Sequence, residues 1–102
     1  MLYRLRQQDG RSNLFGNWIA ADGRSTEIAS ADNSITPVVM TDVAGRKVPT
    51  AWRVAIPARG LAIETTPLNA ASWMGTSFPY WEGPISFSGS HAGLGYLEMT
   101  GY

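Results

Sequence analysis

The stretch Tyr80-Trp81-Glu82-Gly83-Pro84-Ile85-Ser86-Phe87-Ser88-Gly89-Ser90-His91-Ala92-Gly93-Leu94-Gly95-Tyr96-Leu97-Glu98-Met99-Thr100-Gly101-Tyr102 decides the fold. Its apolar residues recur with period two, the repeat of a strand with one buried face. Ile85 and Phe87 oppose Ser86 and Ser88 over Tyr80–Ser88, and Gly89–Gly93 has the composition of a turn. In Leu94–Tyr102, Tyr96, Glu98, Thr100 and Tyr102 share one face while Leu97 and Met99 take the other. The segment therefore predicts a closing antiparallel hairpin.

The same grammar runs upstream. Met1–Gln7 sets Tyr3 and Leu5 against Arg4 and Arg6, and Gln8–Ser12 is a turn, since Asp9 and Gly10 tolerate left-handed backbone. Asn13–Ala20 returns, with Phe15 and Ile19 opposite Leu14 and Trp18. Ala21-Asp22-Gly23-Arg24 repeats the turn chemistry before a short strand, Ser25–Ala29. Ser34–Thr41 reads as a strand in which Pro37, lacking an N–H, marks an edge, a bulge or a start. Asp42–Val48 reads as a turn. Thr50–Ile56 places Trp52, Val54 and Ile56 on one face; Pro57 ends it, and Arg59-Gly60 turns the chain into Leu61–Thr66. Pro67–Pro79 is irregular, with one helical turn available to Leu68–Met74. Strands at this spacing predict a single all-β domain over residues 1–102, a sandwich or barrel of seven or eight short antiparallel strands. A closed barrel needs about eight; an open one leaves an edge that favours pairing with another chain. A homo-oligomer is expected on that ground.

Eight basic and eight acidic side chains cancel, and neither sign forms a run. Nucleic-acid binding needs several convergent cations; Arg4 with Arg6, and Arg46-Lys47, read instead as solvated surface, so no nucleic-acid partner is expected. No stretch approaches a membrane span. The N-terminus lacks the charged and apolar regions of a signal peptide, which leaves cytoplasm and periplasm both open. The absence of cysteine removes disulfides, thiolate nucleophiles and Cys-based zinc sites. With one histidine, His91, in a predicted turn, no metal site is expected, and neither a phosphate loop nor a nucleophile elbow points to a cofactor or an acyl enzyme.

The closing stretch resembles that of the family containing AttH-like proteins and the carotenoid 1,2-hydratases (hydroxyneurosporene synthases), in which a YWEG element leads through a glycine turn to a GYxELTGY-like strand. Here that strand is Gly95-Tyr96-Leu97-Glu98-Met99-Thr100-Gly101-Tyr102, with Met99 where leucine is usual. Leu2–Arg6 with Asp9-Gly10, Trp18–Gly23 and Trp52–Pro57 are similar to the family's preceding strands. The resemblance implies a lipocalin-like antiparallel β-barrel, open or incomplete, corresponding to most of the C-terminal domain of a two-domain bacterial protein. Hydratase members add water to a carotenoid double bond.

That chemistry would make Glu82 and Glu98 candidate acids, since alkene protonation needs a carboxyl group raised by apolar surroundings. The alternative is structural: both accept bonds from backbone, tyrosine hydroxyls or an arginine such as Arg53, and hold the closing hairpin together. This reading is favoured because the motif lies at the junction that defines the fold. Tyr80, Trp81, Tyr96 and Tyr102 cluster near the acids, and Trp73 and Phe78 sit in the irregular region where aromatics could line a barrel mouth; these six are the candidate ligand-binding residues. Trp18, Trp52, Phe87 and Trp81 are also candidates for the core. The leading expectation is a domain that binds a small apolar ligand or a protein partner without catalysis. The alternatives are a hydratase- or isomerase-type enzyme on an isoprenoid-like substrate, and a self-association module.

Overall fold

A computed structural model describes residues 1–28 and 31–102. Nine antiparallel strands are found among them: β1 (Leu2–Arg6), β2 (Ser12–Ile19), β3 (Ser25–Ile28), β4 (Ser34–Val43), β5 (Arg46–Ile56), β6 (Leu61–Pro67), β7 (Trp73–Met74), β8 (Tyr80–Gly89) and β9 (Gly93–Met99). They form two sheets, one of order β1-β2-β3 and one of order β4-β5-β6-β8, with β7 and β9 both pairing β8. No backbone ladder joins the sheets among the described residues. The barrel is therefore open, the outcome that the count of short strands leaves possible. Ala29, the expected end of the third strand, lies outside the described residues.

The first two hairpins use one turn twice. In each an Asp-Gly-Arg triplet places glycine at positive φ, Gly10 at 85° and Gly23 at 84°. The preceding carboxylate, Asp9 or Asp22, accepts the arginine N–H at 3.0 Å and pairs with its guanidinium. Between β4 and β5 the turn shrinks from the expected seven-residue segment to Ala44-Gly45, with φ of 51° and 74°. Two successive left-handed residues match the twist of a tight hairpin, and burial of Val43 and Val48 draws the flanking residues into the sheet. Pro37 lies on the edge strand β4, beside register shifts between Pro37 and Met40, so both the edge and the bulge readings hold.

Other expectations change: the described strands number nine, not seven or eight, because Trp73-Met74 adds a strand where irregular chain was expected, and the tight Ala44-Gly45 turn lengthens its flanking strands. Leu68–Met74 forms no helical turn: Asn69 Oδ1 accepts the Ala71 N–H at 3.0 Å, and the Ser72 hydroxyl donates to the Asn69 carbonyl at 2.8 Å. These local bonds compete with helix formation and deliver Trp73-Met74 as a short strand against Trp81 and Tyr80. In β1 the faces are inverted. Tyr3 and Leu5 point outward and are exposed, whereas Leu2 and Arg4 turn toward the second sheet.

Arginines join the sheets where backbone does not. Arg4 Nη1 on β1 donates to the Ile35 carbonyl on β4 at 2.8 Å, with its guanidinium 5.3 Å from the Trp52 ring. Arg6 Nη2 donates to the Thr100 carbonyl at 2.8 Å and lies 4.0 Å over the Tyr102 ring. Arg59, in the 3₁₀ turn Pro57–Arg59 that follows β5, bonds the Thr26 hydroxyl and covers Trp18 at 5.5 Å. Contacts of this type are each worth about 0.5–2 kcal/mol. Arg4 is thus half-buried at the seam, not the solvated surface residue the sequence predicts.

Candidate functional site

The inward positions of both sheets line an apolar cavity of about 440 Å³ that opens to solvent. Cross-strand pairing builds the larger wall: Val54 lies opposite Ile63, Ile56 opposite Leu61, and Thr65 opposite Phe87. Leu2, Trp18 and Ile28 contribute the facing wall from the smaller sheet. Two polar residues of these walls, Thr65 and Trp52, bond within the protein. The Thr65 hydroxyl accepts the Trp52 backbone N–H at 3.0 Å, and Trp52 Nε1 donates to the Pro49 carbonyl at 3.1 Å. Trp52 therefore presents hydrocarbon to the cavity. No acidic side chain lines it among the described residues. Trp52 is buried, as expected of a core residue, and it also walls the cavity; Trp18 and Phe87 wall it too but are only half-buried.

A tightly packed core adjoins the cavity, with Ile85 and Leu97 bordering both. Val43, Val48, Trp81 and Ile85 form it, with Trp73, Leu97, Met99 and Tyr102 against its edge. Trp81 is wholly buried, and its indole N–H donates to the Ala70 carbonyl at 2.8 Å. The Glu82 backbone N–H donates to the Ser72 carbonyl at 3.0 Å. Gly83 carries no side chain where a Cβ would stand 2.9 Å from Ser72 Oγ. The Trp81-Glu82-Gly83 element thus anchors the irregular segment onto β8.

The six aromatic candidates fall into different environments. Trp81 is core; Trp73 and Tyr102 flank it, under the guanidinium groups of Arg46 and Arg6 respectively. Phe78 is 71% exposed in the loop before β8. Tyr80 and Tyr96 lie on the outer face of the β8–β9 hairpin, and of the six only Tyr96 also reaches the cavity wall.

Glu82 and Glu98 are directly opposite one another in that hairpin, on the face away from Trp81 and Leu97. Hydrogen bonding to the Glu82 carboxylate raises Tyr80 and Tyr96 above the ordinary phenol range, and the charges of Glu82 and Glu98 add to it. Glu82 thus acts on Tyr80 and Tyr96, two of the tyrosines near it in sequence. Arg53 is engaged elsewhere, donating through Nε to Glu64 at 3.0 Å across β5 and β6. His91 sits in the β8–β9 turn beside the Ser90 hydroxyl, which accepts the Ala62 N–H. No group of three or more metal-ligating side chains occurs among the described residues.

The AttH-like family model matches residues 1–102. The chain belongs to the AttH-like family. A crystal structure of a provisionally assigned AttH protein from Nitrosomonas europaea superposes on this AttH-like chain with a TM-score of 0.80 at 26% identity. The match covers 99% of this chain and 34% of that one, so the chain spans about a third of its relative's length. Comparison with curated proteins gives no match. Two signals that sequence reading missed, the inward face of β1 and the spread of cavity residues over both sheets, emerge only with the pairing registers.

Proposed function

We propose that this AttH-like domain binds a small apolar ligand between its two sheets and performs no chemistry on it. The cavity carries the reading: about 440 Å³, walled mainly by aliphatic and aromatic side chains, with the Thr65 hydroxyl and the Trp52 indole N–H bonded within the protein. That volume lies within the roughly 300–1,000 Å³ of ordinary ligand pockets. The position of the carboxylates supports the non-catalytic part. A hydratase needs an acid facing the alkene, whereas Glu82 and Glu98 occupy the outer face of the closing hairpin.

Nile red, a neutral apolar dye, tests it. Its emission should shift to the blue and rise on titration with the protein. The response should be lost in Ile63→Trp, which fills the cavity at a position remote from the Trp81 core. An unchanged response in a folded Ile63→Trp variant would overturn the reading.

A second reading, self-association, has one observation in its favour. Tyr3 and Phe15 stack at 5.5 Å on the outward face of the smaller sheet, beside exposed Leu5. A second copy of the chain would cover this patch. Light scattering that gives a dimer in the native chain and a monomer in Phe15→Glu is its test.

A further inference from the structure

The proposed ligand site does not end at the apolar cavity. Ile35 walls it on one side and, on the other, walls a polar cleft of about 630 Å³ whose described lining includes Arg4, Ser12, Asn13, Asn33 and Ser34. We infer that the ligand is an apolar chain ending in a carboxylate, a fatty-acid-type molecule, whose head lies in this cleft against Arg4 while its tail enters the cavity. The inference rests on the ligand-binding reading above and adds polarity and orientation to it.

Arg4 carries the argument. It is the charged side chain of the cleft, and no acidic residue joins it in the described walls. It makes no ion pair with a described carboxylate; its named bond is to the Ile35 carbonyl. A guanidinium has five N–H donors in a planar fork suited to a carboxylate. With Nη1 engaged, the remaining donors have none of the acidic partners that Asp9, Asp22 and Glu64 give to Arg11, Arg24 and Arg53. A half-buried cation without a counter-ion is costly, and an anionic ligand relieves that cost.

Its position is equally specific. The guanidinium lies 5.3 Å from the Trp52 ring, and that ring is itself a cavity wall. A carboxylate on Arg4 therefore places the adjoining methylenes at the apolar opening. Asn33 adds a second polar group: its Oδ1 is buried and accepts no bond from a described residue. It suits the water that accompanies a bound carboxylate. One guanidinium matches one monoanion; a phosphate dianion calls for more convergent charge.

Dodecanoate and its methyl ester, titrated into the protein at pH 7 by calorimetry, separate the possibilities. The acid should bind at least about tenfold tighter than the ester, the scale of a charge-assisted hydrogen bond. Arg4→Met should bring the two within about twofold, mainly by weakening the acid, whereas Arg4→Lys should keep part of the preference. If Arg4→Met fails to fold, isotope-edited NOEs in the native protein decide the orientation. Contacts from the C2 methylene to Arg4 and Asn33 support the inference, and contacts from C2 to Leu61 overturn it. Equal binding of acid and ester overturns the carboxylate head but leaves the apolar cavity intact. Binding of neither overturns both.

Discussion

Removal of the Trp81 side chain measures how far the closing hairpin depends on its anchor. The indole is wholly buried among Val43, Val48 and Ile85 and donates to the Ala70 carbonyl. Truncation of a buried aromatic to alanine costs about 3–5 kcal/mol. Leaving the carbonyl of Ala70 without its indole donor adds about 1 kcal/mol. Trp81→Ala should therefore lose about 4–6 kcal/mol, against a total stability of about 5–15 kcal/mol for a domain of this size. Trp81→Phe keeps most of the volume but cannot make the bond, and should lose about 2–3 kcal/mol by the same reasoning. Urea unfolding followed by far-ultraviolet circular dichroism gives both values from the midpoint at constant slope. A Trp81→Ala variant within about 1 kcal/mol of the native chain, a third of the smallest loss typical of such truncations, would refute the assignment of this residue to the core.

Other consequences are sharper in sign than in size. Gly89→Ala should destabilise by more than about 2 kcal/mol in the same assay, because a Cβ there stands 2.4 Å from the Ala62 carbonyl on a backbone at φ 135°. Gly75→Ala, which meets nothing within 4 Å, should change stability by less than about 0.5 kcal/mol. Glu98→Lys replaces a like-charge pair across β8 and β9 with an opposite one and should stabilise by about 0.2–1 kcal/mol, read as an upward shift in the urea midpoint. Tyr80 and Tyr96 are held protonated above their ordinary range chiefly by bonding to Glu82. Their contribution to stability is complete below the unfolded phenol value of about 10 and is lost as pH rises through the folded values. Absorbance titration of the phenolates should show two tyrosines moving to lower pKa in Glu82→Gln; an unchanged titration would contradict the bonding.

The hairpins were legible because polar turns and alternating strands obey simple local rules. Asp9-Gly10-Arg11 and Asp22-Gly23-Arg24 announce their turns outright, and Thr50–Ile56 alternates without interruption. β1 defeats the same rule, since Leu2, Tyr3 and Leu5 put apolar residues on both parities. Its inward face is settled by pairing, with Arg4 opposite Leu14 and directed at Ile35 and Trp52. Trp73-Met74 is too short to show a period and becomes a strand only through Trp81 and Tyr80. The Tyr80–Gly83 motif advertised acids among aromatics. Alternation in fact sends Trp81 into the core and Glu82 to the opposite face. The cavity had no single local signature, because its walls come up to three residues at a time from strands of both sheets.

The four tryptophans offer the most direct test of a ligand site between the sheets, since two wall the cavity and two belong to the packed end. Indole N–H resonances followed by ¹⁵N-edited NMR during titration with dodecanoate should show Trp18 and Trp52 shifting together and saturably while Trp73 and Trp81 stay in place. Shifts confined to Trp73 and Trp81, or no saturable shift at any indole, would contradict it.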